Sequence, residues 1–174
     1  MHRILIKNLL SLFRRSGIPA KILWRREASP GFTFIELIVV IAVTGSLSAI
    51  AIPTYYGYIQ EARQMKTILE MRMLDTEILA FQAINERLPL TLDEIGRGNL
   101  KDPWGNPYYF LNYSTVTGKG KLRKDPFMVP LNSDYDLYSS GPDGESKSPL
   151  TAKDSRDDII RAHNGSYIGP ASEF

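Results

Sequence analysis

Cysteine is absent from this chain, and histidine is limited to His2 and His163. No disulfide can fasten its loops, and no thiol centre or histidine-rich metal-hydrolase centre can be assembled. Serines are plentiful, yet no Gly-x-Ser-x-Gly elbow presents one as a nucleophile. A tethered enzyme therefore lacks any visible catalytic constellation. Charge is also missing where it would be most noticed: between Gly31 and Pro53 the one charged residue is Glu36. Beyond residue 31 there are 14 basic and 18 acidic residues, with no basic patch to suggest nucleic acid.

The apolar run from Phe32 to Ile52 is about 21 residues, or roughly 30 Å of helix, which matches the hydrocarbon thickness of a bilayer. Seven basic residues precede it (Arg3, Lys7, Arg14, Arg15, Lys21, Arg25, Arg26). Such a leader stays cytoplasmic and orients the helix N-in, C-out. The leader has apolar residues of its own, including Ile4, Leu5, Leu9 and Phe13, and with Arg14 and Arg15 these fit a basic interfacial helix. No small-residue cleavage site follows the apolar run, which excludes an ordinary secretory signal.

Glu36 is costly in such a place, about 3 kcal/mol for a carboxylate at the bilayer centre. Spacing alone leaves two readings: an incidental acid near the headgroups, or a carboxylate that meets a partner.

Pro53 removes a backbone donor and predicts a kink or loosening, which Gly57 extends. Beyond it the pattern turns amphipathic. Met71, Leu74, Ile78 and Phe81 recur at helical spacing between charged residues, and the helix is expected to end near Glu86. Thr91-Leu92-Asp93-Glu94 has the capping-box spacing of a short helix. Asp102-Pro103-Trp104-Gly105-Asn106-Pro107 is dense in turn formers, and Trp104 reads as a turn residue packed on the core. Tyr108 to Tyr113, Phe127 to Leu131 and Tyr135 to Ser139 read as strands, whereas the tail from Gly141 reads as loop. The expected fold class is α+β. A long N-terminal helix, membrane-spanning in its first half, packs on a small antiparallel sheet of about three strands with a loop-rich tail. The expected segments are a leader at 1–31, an apolar half-helix at 32–53, an amphipathic half-helix at 54–87 and a head at 88–174.

Gly31-Phe32-Thr33-Phe34-Ile35-Glu36-Leu37-Ile38-Val39-Val40 resembles the class III signal of type IV prepilins and type II secretion pseudopilins. The resemblance implies that a prepilin peptidase cuts between Gly31 and Phe32 and N-methylates Phe32. It also implies that Glu36 serves assembly of a homopolymer through the N-terminal helices. Phe34 stands where leucine is more usual, and Thr44, Ser46 and Ser48 make the run more polar than most.

Two further segments, Asp102 to Tyr108 and Asp136-Leu137-Tyr138-Ser139-Ser140-Gly141-Pro142-Asp143-Gly144, resemble the major pseudopilins of type II secretion. That branch implies a structural subunit of a periplasmic filament raised from the bacterial inner membrane. Its partners are other pseudopilins and the inner-membrane assembly platform. It also implies a structural calcium ion in the tail, held here by Asp143, the Ser140 carbonyl, and Asp157 and Asp158. The segment from Glu145 to Arg156 departs from the pattern in its length and in its Lys147, Lys153 and Arg156. The alternative for the acids is a solvated loop paired to its own lysines. Without a metal, packing of Ile159, Ile160, Tyr167 and Ile168 has to hold the tail. A pilin of a surface type IV pilus is the alternative function.

Overall fold

The computed structural model describes residues 31–174. The leader reading, including its interfacial helix, falls on residues outside that range. The chain forms two compact units, one ending at Ser48 and the other beginning at Ala49.

Helix α1 runs from Phe34 to Asn85 and passes through Pro53 and Gly57 without a break in the helical assignment. Up to Ser48 its apolar side chains are exposed on every side, from Phe34 and Ile35 through Ile41 to Leu47. The hydroxyls that make this stretch more polar are satisfied within the helix. Thr44 donates to the Val40 carbonyl, Ser46 to Ala42 and Ser48 to Thr44, each at 2.8 Å. Such back-bonding removes most of the cost of placing a hydroxyl in hydrocarbon.

From Ala49 onward the helix acquires a face. Thr67, Met71, Leu74 and Ile78 are buried, at the spacing the sequence pattern requires. The helix stops at Asn85, and Glu86 takes a left-handed φ of 56°. The short helix expected after Thr91 is a 3₁₀ turn, Leu92–Ile95, and the capping box does not close: Thr91 makes no cap hydrogen bond. Glu94 instead accepts from Leu90 N–H and binds Arg87 at 2.9 Å.

Four strands follow: β1 (Tyr108–Asn112), β2 (Tyr135–Ser139), β3 (Ile159–Ala162) and β4 (Tyr167–Pro170). They form one antiparallel sheet in the order β1-β2-β3-β4. Two expectations are corrected here. Phe127 to Leu131 is not a strand: Phe127 is 98% exposed, Pro130 removes a ladder donor within the segment, and Pro126 removes another just before it. The tail is not all loop, because β3 and β4 lie within it. Each is only four residues long, and Gly169-Pro170 disguises the second.

Side chains alternate along each strand, so the sheet has two covered faces. Tyr108, Tyr135, Leu137, Ile159 and Ile168 pack with Met71, Leu74 and Ile78 of α1. On the other face Ile160 and Ala162 meet Leu131, Leu150 and Ala171, which come from the loops and the C-terminus. Tyr109 and Tyr138 stack on that side with ring centroids 4.9 Å apart.

A guanidinium is buried between helix and sheet. Arg161 on β3 is 1% exposed. Its Nε binds Asp75 of α1, and Nη1 and Nη2 bind the two oxygens of Asp134 at 2.8 and 2.9 Å. The guanidinium also lies 3.9 Å from the centre of the Tyr135 ring. Burial opposes its charge, but the Asp134 bonds and the fields of Tyr135 and Asp75 outweigh that, and its pKa is raised. Two phenols tie the sheet to the same helix: Tyr135 donates to Asp75 and Tyr108 to Glu70, both at 2.6 Å.

Removing one partner of a buried ion pair strands the others. Arg161→Met is expected to cost about 3 kcal/mol or more of stability. Urea unfolding of the full chain in detergent, read by tyrosine fluorescence, measures it, and an unchanged midpoint contradicts the assignment. The phenols generate a pH dependence. Burial first, and then their carboxylate acceptors, raise Tyr108 and Tyr135 above the ordinary value of 10.0. The folded chain therefore keeps protons that the unfolded chain releases, and this stability is present below pH 10 and lost as pH rises beyond it. Melting temperature is expected to hold to about pH 9 and then fall, less steeply in Tyr135→Phe. A wild-type profile that is flat through pH 11 contradicts this.

Candidate functional site

The start of α1 is built around Thr33 and Glu36. The Thr33 hydroxyl accepts from Glu36 N–H at 3.3 Å, while a Glu36 carboxylate oxygen accepts from Thr33 N–H and from its hydroxyl, both at 3.1 Å. This is a capping box: Thr at the N-cap, Glu three residues later, each satisfying a backbone donor that the helix leaves free. The Thr-x-x-Glu spacing is legible in the sequence, although it lies at the edge of an apolar run. The carboxylate has no cationic partner among the described residues at this end. Among those residues its polar contacts are local and neutral.

Gly31 lies just before this cap. A Cβ built on it meets nothing within 4 Å. The local fold has room for a side chain there, so the folded structure does not itself require glycine.

The second candidate region is the tail turn. Asp102 is 5% exposed and organises the turn before β1. Its Oδ1 accepts from Trp104 and Asn106 N–H, and its Oδ2 accepts from the Ser139 hydroxyl at 2.6 Å. Asn106 then donates to the Gly141 carbonyl at 2.8 Å. The two segments singled out by their resemblance thus fasten each other, which no local pattern announces. Trp104 is half-buried and donates to Gln60 of α1 at 3.0 Å.

Gly141 has a φ of 65°, and a Cβ there would lie 2.3 Å from the Asp157 carbonyl oxygen. Only glycine permits this approach. It brings Asp143 and Asp157 together: Asp143 N–H donates to Asp157 Oδ2 at 3.2 Å. Asp143 is exposed, and its own Oδ1 accepts from Glu145 N–H at 2.8 Å.

Asp158 goes elsewhere. It is fully buried and forms an ion pair with Arg123 Nη2, which is itself 3% exposed. The Ser146 hydroxyl donates to the same Asp158 oxygen at 2.6 Å and accepts from Arg123 Nη1 at 2.7 Å. Burial pushes the Asp158 carboxyl up, against the opposing pull of Arg123 and Ser146. Asp157 and Asp158 are consecutive where the chain enters β3, and the Asp158 carbonyl already accepts from Ala171 N–H at 2.8 Å. In extended chain, neighbouring side chains point to opposite faces. Asp157 therefore lines a cavity of about 540 Å³ with Gln60, Gln64 and Trp104, while Asp158 lies on the loop-covered face.

The residues present do not fit a calcium ion held jointly by Asp143, Asp157 and Asp158. Among the described residues no three His, Asp or Glu side chains converge in a way that would hold a metal ion. Asp158 Oδ1, Arg123 Nε and the Ser140 hydroxyl are buried without a hydrogen-bond partner.

Comparison with known proteins adds to this geometry. The chain is 30% identical over 133 residues to the type II secretion system core protein G of Dickeya chrysanthemi, a match covering 74% of this chain and 83% of that protein. It is 30% identical over 122 residues to the protein of the same name from Escherichia coli (strain K12), covering 66% and 83%. Over 59 residues it is 46% identical to the type IV major fimbrial protein FimA of Dichelobacter nodosus, covering 29% of this chain and 38% of that protein. No family model matches the chain, and no solved structure matches it.

Proposed function

The chain belongs to the family of type II secretion system core protein G, and from that membership we propose that it is a pseudopilin: a structural subunit of a periplasmic filament that helps drive protein secretion. It is not an enzyme; its relatives are structural pseudopilins and pilins. The observation that carries the reading is the apolar first part of α1. Its most apolar 18-residue stretch is entirely unburied. An apolar helix bare on all sides needs either lipid or other such helices around it. A subunit that waits in the inner membrane and then joins a bundle of identical helices meets both conditions in turn. Its head lies in the periplasm, its other partners being sister pseudopilins and the inner-membrane assembly platform.

In this reading a prepilin peptidase cuts after Gly31 and methylates Phe32. The room around Gly31 supports an external reason for the glycine, namely the close approach of a peptidase to the backbone. Glu36 then supplies the polymer contact. Held by Thr33 but not neutralised, its carboxylate meets the Phe32 amine of a neighbouring subunit. Opposite charges 4 Å apart attract by about 4 kcal/mol at an intermediate dielectric, before desolvation is counted. The contact sets axial register between subunits. A surface type IV pilin is the second reading, favoured by the fimbrial similarity. Identification of the filament that incorporates the protein in its own cell, secretion pseudopilus or surface pilus, decides between them.

Gly31→Val is expected to leave an uncut, membrane-bound precursor, with mass spectrometry of the wild type giving an N-methylated Phe32. A mature chain beginning at another residue rules out this cleavage site. Glu36→Ala is expected to be inserted and cleaved normally but to assemble at least tenfold less filament, the loss that about 1.4 kcal/mol or more of contact energy produces. Filaments formed in wild-type amounts by Glu36→Ala show that register is set by something else.

A further inference from the structure

We propose that Arg123 does in this chain what a bound cation would otherwise do: it is the built-in counter-charge of Asp158, and it makes the fastening of the tail independent of calcium. Three sets of contacts support this.

The first is position. Arg123 N–H donates to the buried carboxylate of Asp136 at 2.8 Å, and its carbonyl accepts from Leu131 N–H at 3.0 Å. Its backbone is thus fixed beside β2. The guanidinium lies 4.1 Å from the centre of the Tyr138 ring, so the aromatic face stabilises the charge as well. Asp158 and Ser146 complete the surround. A cation of fixed place and charge is already delivered to this carboxylate by the chain itself.

The second is charge balance. A divalent ion on Asp158 would place two further positive charges beside a buried guanidinium. In a low-dielectric interior like charges so close repel strongly. Asp158 Oδ1 is free of hydrogen bonds, but an ion reaching it would have to bear that repulsion. It would also lack Asp143 and Asp157, which lie toward the opposite side of the strand entry.

The third is the segment from Glu145 to Arg156, which is tied down without a metal. Leu150 is buried with Leu131 and Ile160. The Ser155 hydroxyl bridges Lys147, accepting from its N–H at 2.8 Å and donating to its carbonyl at 2.7 Å. Lys147 pairs with Asp154 at 2.7 Å. Lys124 N–H donates to the Ser148 carbonyl, and Leu150 N–H to that of Lys124. These contacts draw the segment onto the Arg123 strip and close the loop that a calcium ion would otherwise have to close.

The test uses the full chain in detergent, melted in excess EGTA and in millimolar calcium, with calorimetric titration of calcium chloride alongside. Wild type is expected to melt within about 1 °C in both conditions, where a structural ion at a hundredfold excess over its Kd would raise melting by about 5 °C or more. The titration is expected to show no saturable site. Arg123→Gln is expected to melt on the order of 10 °C lower in EGTA, because a buried carboxylate loses its counter-charge. A wild-type melt that rises several degrees with calcium, or saturable binding that Asp143→Asn removes, overturns the proposal. So does an Arg123→Gln chain that melts with the wild type in EGTA. If Arg123→Gln does not fold, the two wild-type measurements decide alone.

Discussion

A guanidinium taken out of water must bring its counter-charges with it, and Arg161 does so from three directions. Asp75 comes from the helix, Asp134 from the loop before β2, and the Tyr135 ring from the neighbouring strand. Asp75 is 86 residues away in sequence. Among the described residues no other polar contact spans so much of the chain. Apolar packing of Met71, Leu74 and Ile78 supplies the area that holds helix to sheet, but such packing tolerates sliding by a turn. A buried, fully bonded guanidinium does not, since any other register leaves a charge unpaired. Arg161 fixes which turn of α1 faces which strand, and the two phenols at Glu70 and Asp75 repeat the same register.

Given that register, the rest of the head follows from the sheet having two sides. One is covered by α1. Among the described residues no long helix covers the other, and loops do so instead, which accounts for their length. The connection from β1 to β2 contributes Leu131 and Arg123, and that from β2 to β3 contributes Leu150 and Ser146. A loop layer cannot satisfy buried polar groups with a regular ladder. Carboxylates do it instead. Asp136 accepts from Arg123 N–H and the Tyr113 hydroxyl, and Asp102 gathers two amides and a hydroxyl. Each buried acid is the hub of one loop, a role that disulfides cannot fill in a chain without cysteine.

This division explains what the sequence made legible. The apolar span, the amphipathic spacing of Met71, Leu74 and Ile78, and strands β1 and β2 all announce themselves by period, because each repeats over enough residues. β3 and β4 are four residues long, with Asp-Asp before the first, Asn-Gly between them and Gly-Pro inside the second, so turn chemistry outweighs their few apolar positions. Phe127 to Leu131 is the opposite case: its apolar composition suggests a strand, but Pro130 within it and Pro126 before it lack the ladder donors. At the candidate site the motif proposes Gly31, Phe32 and Glu36, and the same Thr-x-x-Glu spacing makes the Thr33 cap legible. The partner of Asp158 was not. Arg123 is 35 residues upstream in a loop of lysines and prolines, and nothing local distinguishes it from exposed Lys121 or half-buried Lys124.

Glu36 and Asp158 show why a carboxylate's role depends on its partner more than on its own chemistry. Both are acids in surroundings that penalise charge, and both accept hydrogen bonds from residues close by. Thr33 gives Glu36 polar contacts without charge, and these can be kept while a cation approaches. Arg123 gives Asp158 a full positive charge in a place closed to solvent, so a second cation gains little there and is repelled by the first. In the proposed reading, the acid that is positioned without a counter-charge among the described residues is the one left for assembly. The acid that is positioned and compensated is spent on the fold.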